Sequence, residues 1–103
     1  MADYELTSLA EEDLKEIARY TLNKWGLEQT RRYESALTSC LHAIGQNKVT
    51  PRRLLKHRPE LACVPCEHHY IFYQERKKRP PLILAVLHER MDLMVKLKAR
   101  LSA

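Results

Sequence analysis

Apolar residues recur at helical spacing in the first half of this chain and at strand spacing in the second. Ser8 followed by Glu11 reads as a capping box, and Glu12 and Asp13 place negative charge where a helix dipole favours it. Behind that start, Leu14, Ile17, Ala18, Thr21, Leu22 and Trp25 fall on one stripe, and Gly26 supplies the stop. A second stripe begins at once with Tyr33, Ala36, Leu37, Cys40, Leu41 and Ile44. Two amphipathic helices joined through one glycine make an antiparallel hairpin, which must bury its apolar stripe against another element. Trp25 and Tyr33 are expected in that core.

The rest of the chain supplies the other element. Residues 4–7 alternate and are compatible with a short strand. Residues 47–59 form a polar, basic connector. Residues 61–66 read as a strand ended or broken by Pro65, and 69–75 as an aromatic, β-branched strand. Residues 76–81 make a charged hairpin tip, and 82–88 a continuous apolar strand of the kind covered on both faces. Asp92 can cap a last helix with Leu93, Leu97 and Leu101 on one side and Lys96 and Arg100 on another. The order β-α-α-β-β-β, with a terminal helix, predicts an α+β fold. In it the helical hairpin packs on one face of a small, mostly antiparallel sheet. Strand alternation makes the opposite face apolar as well, so with no second helix pair to cover it that face is expected to meet a partner.

At 103 residues, 45% apolar and 30% charged, the chain is one globular domain, residues 1–103. The longest apolar run, residues 82–87, falls far short of the ~20 residues a membrane span needs, and the acidic start lacks a signal-peptide pattern. A cytoplasmic protein without membrane contact is the expectation. Two glycines exclude the glycine-rich phosphate loops. Three cysteines, Cys40, Cys63 and Cys66, make an odd count, for which reduced thiols are expected. Charge is polarised: residues 1–46 carry −3, and residues 47–103 carry +8. The basic half should face something anionic, such as a nucleic acid, a nucleic-acid enzyme or an acidic peptide.

Two blocks of sequence carry a resemblance. The first is Leu6-Thr7, then Ala10-Glu11-Glu12-Asp13-Leu14-Lys15-Glu16-Ile17-Ala18-Arg19-Tyr20-Thr21, followed by Trp25-Gly26, Gln29 and Arg32-Tyr33. The second is His69-Tyr70-Ile71-Phe72-Tyr73, then Ile83-Leu84-Ala85-Val86-Leu87-His88-Glu89-Arg90-Met91-Asp92. In order and spacing they resemble the ParE branch of the RelE/ParE toxin superfamily. Where that family usually has a strand arginine and then a glycine, residues 61–68 read Leu-Ala-Cys-Val-Pro-Cys-Glu-His, and no role is carried over there.

The resemblance implies the toxin of a type II toxin–antitoxin pair, one that inhibits DNA gyrase by stabilising its cleaved DNA complex. It implies neutralisation by a ParD-like antitoxin, no cofactor, and DNA contacted only through the antitoxin or gyrase. The matching target-binding positions are His88, Glu89, Arg90, Met91 and Asp92, with Lys96, Lys98 and Arg100 as supporting basic contacts. Leu14, Ile17, Tyr33, Tyr70, Phe72 and Tyr73 are expected to meet the antitoxin. Deleting residues 93–103 is expected to abolish toxicity and spare antitoxin binding. One alternative is a RelE-like ribosome-dependent mRNA endoribonuclease, for which His88, Arg90, Arg53, Lys56 and His57 supply acid, base and cation types. Another is an inactive toxin fold kept as a binding module. A zinc site of Cys63 and Cys66 with His68 or His69, and Cys40 or His57, would need Pro65 to force a turn. No metal site is therefore expected.

Overall fold

The computed structural model describes residues 3–102. Its order is β1 (Glu5–Leu6), α1 (Ser8–Trp25), α2 (Leu27–Gly45), β2 (Arg52–Arg53), β3 (Leu61–Cys66), β4 (His69–Gln74), β5 (Leu82–His88) and α3 (Leu93–Ser102). The five strands form one sheet in the order β1-β5-β4-β3-β2, antiparallel except for the β1–β5 pair. The α+β fold and its mostly antiparallel sheet are as the sequence predicts. β2 lies inside the expected connector: two exposed arginines carry no hydrophobic alternation, and only pairing with Cys63 and Ala62 makes them a strand.

Helix α1 begins one residue earlier than a Ser8 cap would place it. Thr7 is the cap, and its hydroxyl accepts the Ala10 backbone N–H at 3.0 Å. Gly26, at φ +89°, joins the two helices without a further residue. At Gly45 a side chain would run into the Asp3 carbonyl, so the chain's start can lie directly on the end of α2.

The hairpin packs on one sheet face, where Ala10, Leu37, Leu41 and Ile44 meet Ala62, Val64, Ile71, Tyr73, Ile83 and Val86. The other face is not open. Leu97 of α3, 1% exposed, packs there with Cys63, Phe72, Ala85 and Leu87, flanked by Leu93 and Leu101. The expected uncovered partner face is thus the second core layer, because a single helix suffices to cover three short strands. Leu82–His88 is covered on both sides, which accounts for its continuous apolar run.

Two connections fasten the layers. β1 pairs with β5 only at Leu82 and Ile83, so the β5 edge is bare beyond them. There the register slips and Leu84 bulges out. Asp13 of α1 accepts the Val86 backbone N–H (2.9 Å), while Arg100 of α3 donates to the Leu84 carbonyl (2.8 Å) and to both Asp13 oxygens (2.9 and 3.0 Å). Helix, strand edge and helix are clamped by one carboxylate and one guanidinium.

The second connection is covalent. Cys40 of α2 and Cys66 of β3 form a disulfide with Cα atoms 6.4 Å apart, which overturns the expectation of three reduced thiols. The pairing depends on α2 lying across the sheet, a relation that cysteine counting does not contain. Closing a 26-residue separation restricts the unfolded chain by about 3.5 kcal/mol. Cys63 remains a free, buried thiol on the α3 side.

Candidate functional site

The helices of the hairpin are 18 and 19 residues long, roughly 27 Å, whereas β3, β4 and β5 have only six or seven residues, roughly 20–23 Å. The hairpin tip therefore overhangs the sheet. Trp25 (64% exposed) and Tyr20 (61%) stand out on that overhang with Lys24 against both rings, 5.8 and 5.6 Å from the centroids. Trp25 is not in the core, contrary to its helical spacing, because no strand extends beneath it.

Under the overhang lies a cleft of about 970 Å³. Tyr20, Lys24, Trp25 and Tyr33 line the helical wall; His68, His69, His88, Glu89, Arg90 and Met91 line the sheet-end wall. Its floor is a polar network. The Tyr33 hydroxyl accepts the His68 backbone N–H (3.2 Å) and bonds His69 Nδ1. Burial pushes the Tyr33 phenol up, so it keeps its proton and donates it to His69. His88 Nδ1 accepts the Arg90 backbone N–H (3.1 Å), and the His69 and His88 rings meet edge to face. Both Nδ1 atoms are thus taken up by hydrogen bonds within the floor. Glu89 is fixed by its backbone N–H to the His68 carbonyl (2.9 Å) and by its carboxylate to His68 Nδ1 (3.1 Å).

Burial, reinforced by neighbouring His88 and His68, pushes His69 down to about 4. An unfolded histidine titrates near 6.5, so between pH 6.5 and 4 the unfolded chain binds the extra proton. Stability should be unaffected by this group above pH 6.5 and fall as pH drops through that window, by at most about 3 kcal/mol. Denaturant melts of the parent and His69→Gln over pH 4–7 check this. The variant's curve should be the flatter, and identical slopes would refute the assignment.

The structure gathers four of the eight target-binding positions, His88, Glu89, Arg90 and Met91, onto one wall. Asp92 caps α3 through Val95 N–H (3.3 Å), and Lys96 and Lys98 are exposed along that helix, away from the cleft lining. Arg100 is committed to the Asp13 clamp. Of the antitoxin positions, Phe72 and Tyr73 are 2% and 3% exposed and belong to opposite core layers. As residues of central strand β4 they are covered from both sides, so they are not a contact surface. Leu14, Ile17, Tyr33 and Tyr70 are half-buried; Leu14 and Ile17 line a groove of about 290 Å³ along the hairpin with Tyr4 and Leu41. Tyr20, Trp25 and His69 are cleft residues that sequence reasoning missed; paired with Tyr33, the double histidine at 68–69 was the available signal.

The nuclease set does not assemble. Arg53 lies by Ala62 at one end of the sheet, bound to Glu75 (2.7 and 3.2 Å) and the Pro59 carbonyl, whereas His88 and Arg90 lie at the other end. The zinc set fails by parity, since Cys63 faces α3 while Cys66 is bonded to Cys40. Among the described residues no group of three or more His, Cys, Asp or Glu could hold a metal ion, and no helix is long and apolar enough to cross a membrane.

Comparison with known proteins adds three findings. Residues 4–93 match the family model described as the ParE toxin of the type II toxin–antitoxin system parDE. A protein named Toxin ParE from Escherichia coli is 42% identical over 102 residues, covering 99% of each chain, and Toxin ParE1 from Mycobacterium tuberculosis is 28% identical over 90 residues, 87% of this chain and 92% of the relative. A solved structure described as the chromosomal ParDE system from P. aeruginosa superposes with a TM-score of 0.70 over 82% of this chain and 92% of its own. At 17% identity it supports the fold.

Proposed function

We propose that this chain, which belongs to the ParE toxin family of type II toxin–antitoxin systems, arrests growth by inhibiting DNA gyrase. It acts by binding, holding gyrase in its cleaved DNA complex, and turns over no substrate itself. The observation that carries this reading is the cleft. His88, Glu89, Arg90 and Met91, the family-matched loop, converge there with exposed Trp25 and Tyr20, and tryptophan, tyrosine and arginine are the side chains that most often anchor protein interfaces. A ParD-like antitoxin neutralises the toxin. Its acidic charges are steered by the +8 half of the chain, while its apolar positions lie along the hairpin groove of Leu14 and Ile17. The chain works in the cytoplasm, where both partners are found.

The test is to incubate the purified protein with gyrase, ATP and plasmid, add detergent and protease, and look for linear DNA. Gyrase-dependent linear product is expected. Trp25→Ala and Arg90→Ala should each reduce it at least tenfold, at about 2 kcal/mol or more per anchor, with melting temperature unchanged because both side chains are exposed. No linear DNA at any dose would overturn the reading, and message cleavage on ribosomes would then point to the nuclease branch.

A further inference from the structure

The last row of side chains on the helix-facing side of the sheet is Cys66, His69 and His88, consecutive partners on β3, β4 and β5. Helix α2 holds this row at two points. Cys40 is bonded to Cys66, and Tyr33, two turns earlier on the same helix face, bonds His69 and the His68 backbone. Between the two points lies the Glu67–His68 turn, where Glu67 takes φ +55° and both side chains are exposed. No core side chain anchors this turn, and it forms part of the cleft wall.

We propose that the Cys40–Cys66 disulfide is a reversible redox lock on the cleft, holding α2 against the 67–69 turn when oxidised and releasing it when reduced. Its effect on the target rests on the gyrase reading above; its effect on the cleft does not. The pair is built for both states. Cys40 is half-buried, the more exposed partner of the pair, and Cys66 is fully buried. Cys66 Sγ lies 3.6 Å from the Ala36 carbonyl, so the thiol released by reduction has an acceptor ready for its proton. Cys63 lies on the other sheet face, and burial pushes its thiol up to about 11. It stays protonated at neutral pH and takes no part in exchange.

The step balances with a dithiol as co-reactant, in the test dithiothreitol. One thiolate attacks Cys40 Sγ, the Sγ–Sγ bond breaks, and Cys66 leaves as a thiolate that takes up a proton. The second thiol of the reductant then displaces Cys40 from the mixed disulfide. Two protein thiols and one cyclic disulfide result: the protein gains two electrons and the dithiol loses two.

Alkylation under denaturing conditions followed by mass measurement should count one thiol in the oxidised protein and three after dithiothreitol. Amide exchange at His68 and His69 should be at least tenfold faster in the reduced protein. Cys40→Ser should match the reduced form in either buffer. Three thiols before reduction, or equal exchange in both forms, would overturn the lock. In the gyrase assay the reduced protein should give at least threefold less linear DNA than the oxidised one, with Cys40→Ser insensitive to reductant. Equal yields from both forms would overturn the effect on the target. If neither form gives linear DNA, the gyrase reading fails while the exchange comparison still decides the lock.

Discussion

Asp13→Ala is expected to cost about 3 kcal/mol of stability, which for a domain of this size lowers the melting temperature by roughly 12–20 °C. A carboxylate in the first turns of an amphipathic helix usually favours the dipole by under 1 kcal/mol. Asp13 does more because it accepts three hydrogen bonds from two groups. Its removal leaves the Val86 N–H without an acceptor and the Arg100 guanidinium, 19% exposed, without its counter-ion. An orphaned, part-buried donor and an uncompensated charge each cost more than a surface pair returns. Arg100→Ala should cost a similar amount, since the bulged Leu84 carbonyl loses its strong donor. In a double-mutant cycle the pair should show at least 1 kcal/mol of coupling. Two small, additive losses measured by urea unfolding would mean that the clamp is loose in solution.

The second large effect concerns α3. Leu97→Ala should destabilise the protein by about 3 kcal/mol, through lost burial and the cavity left between Cys63, Phe72, Ala85 and Leu87. Removing residues 93–103 should abolish cooperative unfolding altogether, because it uncovers that whole layer and takes Arg100 with it. The deletion suggested by family resemblance is therefore expected to unfold the chain rather than to separate toxicity from antitoxin binding, because it uncovers the smaller of the two core layers. Surface changes on the same helix keep the fold: Lys96→Ala and Lys98→Ala, both exposed, should leave the stability unchanged. A truncated chain that still melts cooperatively, followed by circular dichroism, would overturn this account of α3.

Much of this architecture is legible in the residues. The helix stripes at 14–21 and 33–44, the glycine at 26, strand β3, the apolar run of β5 and the Leu93/Leu97/Leu101 side of α3 follow from side-chain period and the few breakers present, whereas Leu22 and Trp25 at the end of the first stripe are exposed. The loop at 88–91 belongs to a stretch whose residue types match the family pattern. Period says which residues share a face, and that is a local property of the backbone.

What period cannot say is what lies opposite that face. Trp25 sits on the α1 stripe yet in solvent, because the helix outruns the strands beneath it. Phe72 lies on an apparently free face yet in the core, because α3 returns over it. Arg100 looks like a free cation and is a clamp; Cys40 and Cys66 look like isolated thiols and are bonded. The sequence by itself determined the elements other than β2, their order and the family, since those depend on neighbours along the chain. Only the tertiary structure decided the cleft, the clamp and the disulfide, because each joins residues whose proximity comes from element lengths and packing.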